Sequence, residues 1–208
     1  MRPLDLIDTD TPHSVSPYFF NAGLLSTGPI LSTIASAYAS TIAAAQSAKS
    51  NPLPQFDVLF GPAYKGISLA ACTALVLHTT HSIPVGFAYD RKEPKDHGEG
   101  GSLVGVPING KKVLILDDVM TSGTAIRRAI ELIKSAGGEV VGVVQCLDRE
   151  EIGKEGGSTV KEVEAIVGEG RVKSILKMRD LIAYLEKNGG GESLAKMREY
   201  WQQYGLHD

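Results

Sequence analysis

Two adjacent carboxylates, Asp117 and Asp118, end a short apolar run, Val113-Leu114-Ile115-Leu116, entered from Lys111 and Lys112. Such a run reads as a buried parallel strand, and the paired acids mark the point where it leaves its sheet. Val119, Met120, Thr121, Ser122, Gly123, Thr124 and Ala125 follow, three hydroxyls around a residue without a Cβ, just before a helical pattern. Backbone N–H groups at a helix start have no intrahelical partners, and the helix dipole favours an anion beside them. A phosphate on a small sugar fits this loop, with the two acids accepting hydrogen bonds from sugar hydroxyls. The ATP-binding pattern Gly-x-x-x-x-Gly-Lys-Ser/Thr is absent. The plain alternative is an ordinary strand, turn and helix, with Thr121 or Thr124 as the cap.

Other residues suited to anion chemistry lie in three further segments. In Gly61-Pro62-Ala63-Tyr64-Lys65-Gly66 a lysine sits between a strand pattern and a helix, where an α/β sheet places its ligands. A solvated loop lysine is the simpler reading of Lys65 alone. Arg91, Lys92, Lys95 and His97 are interleaved with Asp90, Glu93, Asp96 and Glu99 and closed by Gly98, Gly100 and Gly101. That is either a solvated connector of mixed charge or a lid whose cations meet an anion and exclude water. Arg149 ends a second apolar run at the same sheet edge as Asp117, and its guanidinium is suited to clamping a carboxylate; an ion pair with Asp148 or Glu150 is the alternative.

Positioning these groups requires alternating helices and strands. Ile30, Leu31, Ile34, Ala37, Tyr38, Ile42 and Ala45 predict a helix from Gly28 to about Ser47, stopped by the turn segment Lys49 to Pro54. Strands are expected over Phe56–Phe60, Pro84–Tyr89, Val140–Leu147 and Val172–Leu176, with a helix from Ile67 to His78. After the hydroxyl-rich loop, Ala125, Ile126, Ala129, Ile130 and Ile133 mark the buried face of a helix. Arg127, Arg128, Glu131 and Lys134 mark its solvent face, and Gly137-Gly138 its stop. Glu150 to Ser158 reads as an exposed turn, and two helices are expected near Leu181–Lys187 and Leu194–Tyr204. Residues 1–16 read as a loose arm, and residues 90–110 as a long connection without secondary structure inside one domain. The fold class is α/β, a mainly parallel central sheet flanked by helices.

A chain of 208 residues suits one domain, and a net charge of −3 argues against non-specific nucleic-acid binding. Cys72 and Cys146 sit in apolar runs and read as buried thiols of a reduced compartment. No uninterrupted apolar stretch reaches the roughly 18 residues of a membrane helix, and no secretory or transit signal is recognisable. A cytoplasmic location without membrane contact is the expectation.

Lys111 to Ala125 resembles the phosphoribosyl-pyrophosphate (PRPP) signature of the type I phosphoribosyltransferases. Ser16-Pro17-Tyr18-Phe19-Phe20-Asn21-Ala22-Gly23, Phe60-Gly61-Pro62-Ala63-Tyr64-Lys65-Gly66-Ile67 and Asp90 to Gly101 are similar, in that order, to the motifs of the orotate phosphoribosyltransferases. The resemblance implies the type I phosphoribosyltransferase fold with a small cap from the termini. It also implies transfer of ribose 5-phosphate from PRPP to orotate, giving orotidine 5'-monophosphate and pyrophosphate with Mg2+, as in pyrimidine biosynthesis. The PRPP contacts it implies are Tyr64, Lys65, Arg91, Lys92, Lys95, His97, Asp117, Asp118 and the loop Val119 to Ala125. Among these it gives Asp117, Asp118, Arg91, Lys95 and His97 catalytic roles. Phe19, Phe20, Thr121 and Arg149 are the implied orotate contacts. It gives Mg2+ to PRPP rather than to direct protein ligands, and it implies a homodimer with lid residues shared across the interface.

One segment departs from the family pattern. Asp8 to Val15 stands where members carry a Lys-Ser-Gly-Arg-like stretch, so the PRPP-contacting lysine expected there has no counterpart. Two alternatives therefore stay open: a catalytically impaired PRPP-binding regulatory module on the same fold, and a phosphoribosyltransferase for another base.

Overall fold

The computed structural model describes residues 7–8, 19–95, 101–153 and 156–206. Its centre is a six-stranded sheet. The strands are β3 (Val58–Gly61), β4 (Gly86–Lys95), β5 (Gly101–Gly105), β6 (Lys112–Val119), β7 (Glu139–Asp148) and β8 (Val172–Lys177). Their order is β5-β4-β3-β6-β7-β8, parallel throughout except for β5, which runs antiparallel along β4 at one edge. The expected α/β class and mainly parallel sheet are therefore what the chain forms.

Period-two alternation decides which residues meet which helices. Leu114 and Leu116 face α1 (Gly28–Gln46) and α2 (Lys65–His81), packing with Tyr38, Ile42, Leu69 and Leu77. Val113 and Ile115 point to the other side, against Ile126, Ile130 and Ile133 of α3 (Thr124–Ser135) and Val163 of α4 (Thr159–Val167). Because both faces are covered, the central strands are apolar almost without break. A third cluster joins Leu147 to α5 (Met178–Lys187) and α6 (Gly191–Tyr204) beyond the end of β7.

Several expectations change in detail. The connection from residue 90 to 110 is not irregular: Asp90 to Lys95 continues β4 and pairs with β5, so both arms of the segment are strand. Alternating charges concealed the period there, since neither face carries an apolar stripe. Ala125 is exposed, so the buried face of α3 begins at Ile126. Arg127 is half-buried and bonded, not a solvent-face residue. Glu150 is buried, so the turn expected after β7 is tied down at its start. Cys72 is half-buried, whereas Cys146 is buried as expected. The short helix α4 was not anticipated. In the N-terminal region Ile7–Asp8 (β1), within the arm expected to be loose, pairs with Phe19–Phe20 (β2) just beyond it, a two-residue ladder. The rest of that arm, with Asp96 to Gly100, lies outside the described residues.

The β3–α2 connection sets how closely the first site helix approaches the sheet. A Cβ at Gly61 would lie 2.2 Å from the Gly66 carbonyl oxygen, a distance no packed atom tolerates. Gly61→Ala is expected to cost about 3 kcal/mol or more of folding stability, through forced displacement of α2. Denaturant unfolding checks this, with a midpoint equal to the parent's counting against it.

Candidate active site

The β3–α2 loop, the extended end of β4 and the carboxyl end of β6 meet the start of α3 around a cleft of about 410 Å³. Asp117, the loop from Val119 to Ala125, and Lys92 all line it. Lys65, the first residue of α2, reaches the acid pair from the side, its Nζ 3.2 Å from Asp118 Oδ2. Lys92 Nζ stands 4.7 Å above the Tyr64 ring, a cation–π contact that gathers a second cation at this rim. Ala63 N–H donates to Asp90 Oδ1 at 2.6 Å, which ties the start of the β4 extension to the β3–α2 loop.

The hydroxyl-rich loop is shaped by what holds its carbonyls. Thr159 Oγ1 donates to the Thr121 carbonyl at 3.1 Å, and Arg127 donates to the Ser122 carbonyl at 2.7 Å. Arg127 also pairs with Glu162 of α4. With those carbonyls held by α3 and α4 side chains, the chain passes through Gly123 at φ +69° into α3. A Cβ at Gly123 would lie 2.9 Å from the Arg127 guanidinium and 3.0 Å from Thr159, so conformation and space both require glycine. The first N–H groups of α3 are thereby presented at the cleft, together with the Ser122 and Thr124 hydroxyls, which lie 3.0 Å apart.

Burial governs the acids. Asp117 is only 9 % exposed, and desolvation, reinforced by the charge of Asp118, pushes its carboxyl up to about 7. The Asp118 N–H donates to Asp117 Oδ1 at 2.9 Å and, with the Lys65 charge, offsets part of that rise. Tyr38, fully buried on α1, donates its O–H to the Asp117 carbonyl at 2.7 Å. Burial also raises Tyr38 well above its ordinary value and the Cys146 thiol to about 12. Both stay protonated near neutral pH, so neither is a nucleophile there.

The remaining expected site residues are less closely gathered. Arg149 opens on a separate crevice of about 10 Å³ that shares Met120 and Thr121 with the cleft. Its guanidinium bonds Glu151 at 2.7 Å, an acid other than the two expected as partners. Phe20 is half-buried and packs between two apolar clusters, while Phe19 is placed by its backbone in β2. Arg91 is half-buried on β4, and Lys95 is located by backbone pairing with Gly101. The Lys95 side chain and His97 lie outside the described residues. Three contributors escaped the sequence reading: Tyr38, Thr159 and Gln145, whose Oε1 accepts the Met120 N–H at 3.0 Å. A lone amide within the apolar run of β7 was the available signal for Gln145. Tyr38 looked like one more apolar helix position.

The raised Asp117 pKa has a thermodynamic sign. Folded Asp117 holds its proton up to about pH 7, whereas an unfolded aspartate loses it near pH 4, at about 3.9. Between those values the folded chain binds more protons, so stability is full below about pH 4 and falls as pH rises through 7. Asp117→Asn is expected to flatten that decline and to be more stable than the parent at pH 8. Urea unfolding across pH 4 to 8 checks it; parallel curves for the two proteins would contradict the assignment.

Residues 31–175, more than half of the chain, match the family described as the phosphoribosyl transferase domain. The orotate phosphoribosyltransferase of Acinetobacter baumannii (strain ACICU) is 47 % identical over 192 residues, covering 92 % of this chain and 85 % of that protein. The enzyme of the same name from Thioalkalivibrio sulfidiphilus (strain HL-EbGR7) is 48 % identical over 193 residues, covering 92 % and 86 %. The crystal structure of orotate phosphoribosyltransferase from Francisella tularensis superimposes with a TM-score of 0.77 at 34 % identity, over 96 % of this chain and 92 % of that one. A match of this extent, along nearly the full length of such relatives and on the same sheet architecture, places the chain in the orotate phosphoribosyltransferase family, built on the phosphoribosyl transferase domain.

Proposed function

We propose that the chain transfers the ribose 5-phosphate unit of PRPP to orotate, releasing pyrophosphate and forming orotidine 5'-monophosphate in pyrimidine synthesis. The observation that carries this reading is the division of charge in one cleft. Helix N–H groups and hydroxyls at Thr121 to Thr124 sit on one side, the Asp117–Asp118 pair on another, and Lys65 and Lys92 at the rim.

In this reading the 5-phosphate occupies the start of α3, where the loop amides are already aimed and need no reorganisation. Asp117 and Asp118 accept hydrogen bonds from the ribose 2- and 3-hydroxyls. As the bond to pyrophosphate breaks, positive charge grows on the sugar beside these carboxylates. That charge favours ionised Asp117, so the buried acid stabilises the transition state more than the ground state. Negative charge grows on the departing pyrophosphate, which meets Tyr64, Lys65 and Lys92, together with Arg91, Lys95 and His97 from the β4–β5 segment. Phe19, Phe20, Thr121 and Arg149 place orotate so that its ring nitrogen attacks the anomeric carbon. For Arg149 this means exchanging Glu151 for the orotate carboxylate, a like-for-like ion pair.

Mg2+ suits the same cleft. In this reading the ion is carried on PRPP oxygens rather than by a dedicated set of protein ligands. Asp117 and Asp90 are the acids that line the cleft, and a bound ion would supply neutralisation of part of the pyrophosphate charge. Cytoplasmic placement accords with two free thiols, and no described helix is long and apolar enough to cross a membrane. A homodimer sharing lid residues across its interface completes the proposal.

Pyrophosphate release by the purified chain with PRPP and Mg2+ is expected to require orotate and to stay at background with uracil, hypoxanthine or no base. Release with another base, or none with orotate while PRPP binds, would overturn it. Lys95→Ala is expected to lower kcat at least about a hundredfold with little change in orotate KM, because its partner charge develops only as the bond breaks. An unchanged kcat would remove Lys95 from the mechanism.

A further inference from the structure

The interior strand β7 buries valines, a leucine and a cysteine along its length, yet Gln145 in its middle is 1 % exposed. A primary amide in such surroundings is costly unless both of its ends are bonded. Here both are. Oε1 accepts the Met120 N–H at 3.0 Å, and Nε2 donates to Ser174 Oγ on β8 at 3.1 Å. Asp117, Gln145 and Ser174 lie in register across β6, β7 and β8, so the amide spans the sheet at the level of the acid pair. Met120 is the first residue past the end of β6, and its N–H takes this side-chain acceptor.

We propose that Gln145 is a positioning residue for the phosphate loop. By holding the Met120 N–H it fixes where the chain leaves the sheet, and so where the following amides, Thr121 to Ala125, point. Gln145 itself does not line the cleft. Thr159 and Arg127 hold the next two carbonyls. The loop is therefore fixed by one hydrogen bond from the Met120 N–H and two to the Thr121 and Ser122 carbonyls. Without the first clamp the Met120 N–H is left buried and unpaired, or the loop shifts to pair it, and either outcome misaligns the cradle before ligand arrives. This inference rests on the reading of Thr121 to Thr124 as the 5-phosphate site.

Gln145→Met keeps the length of the side chain and removes both hydrogen bonds. It is expected to raise the KM for PRPP about tenfold, clearly more than the orotate KM, whose site shares only Thr121 with the loop, and to change kcat by no more than about twofold. Amide hydrogen exchange should show Met120 losing protection while Val143, deep in β7, keeps it. Ser174→Ala, a milder change that leaves the Met120 bond in place but frees the amide's other end, should shift the PRPP KM the same way by about two- to threefold. It carries the test if Gln145→Met fails to fold.

Thr124→Val, altering the loop itself, separates the two readings. An unchanged PRPP KM in both the Gln145 and Ser174 variants, with a raised one in Thr124→Val, overturns the positioning role and leaves the phosphate site standing. Unchanged PRPP KM in all three removes the phosphate site and the positioning role together. Equal rises in both substrate KM values with protection lost throughout β7 would make Gln145 a stability residue only, and so also overturn the proposal.

Discussion

Burying Asp117, with the half-buried Asp118 beside it, at the carboxyl edge of an apolar sheet is the constraint on which the rest of the site depends. Desolvation pushes the Asp117 carboxyl up, because the cost of taking a charge into such surroundings far exceeds the worth of a single hydrogen bond. The fold answers with partial compensation. Lys65 sits 3.2 Å from Asp118 and is itself about half exposed, so its pairing is screened and leaves the acids incompletely neutralised. Asp117 stays close to its titration point near neutral pH. A fully satisfied pair would be a structural ion pair with nothing left to give a ligand; this one gains most when further positive charge appears beside it.

The opposite requirement is met a few residues later in the same chain. Anion-binding amides must remain unsatisfied within the protein, yet a loop with free amides tends to collapse onto its own carbonyls. Here the carbonyls are removed from that competition: Thr121 gives its carbonyl to Thr159 and Ser122 to Arg127. Helix α4 thus has a purpose beyond covering the sheet, since it supplies Thr159 directly and holds Arg127 through Glu162. Loss of the Arg127 side chain would free a loop carbonyl and remove the neighbour that crowds Gly123. Acid pair and helix-start amides can then lie within one short run without cancelling each other, because their hydrogen bonds run to different elements.

What was legible in the sequence follows from where each signal is stored. Apolar run lengths and turn residues locate elements, so α1 lies at Gly28–Gln46 against an expected Gly28 to Ser47, and β8 at Val172–Lys177 against Val172 to Leu176. The loop Val119 to Ala125 and the acid pair are contiguous and were legible as a unit. Tyr38, Gln145 and Thr159 reach the site across 79, 25 and 38 positions of sequence, and separations of that kind leave no local pattern. Arg127 was misread because a solvent-face position on an amphipathic helix is assigned by period alone, and period says nothing of a second helix packed alongside. The strand in Asp90 to Lys95 was hidden for a related reason: its pairing with β5 lies at a sheet edge, where no buried stripe is needed to hold it.

That edge hairpin also bears on how a charged segment serves a reaction in which charge separates. β4 continues past the point where β3 ends at Gly61, carrying Arg91 and Lys92 beyond the carboxyl edge of the sheet. Its arms already satisfy each other's backbone groups, as at Tyr89 with Val104 and Asp90 with Leu103. The Asp90 carboxylate, bonded to Ala63 N–H, fixes the base of the hairpin to the loop that carries Lys65. Cations from two different elements therefore share one anchor: Lys92 acts on the potential at the rim, while Lys65 also bears directly on the acid pair through Asp118.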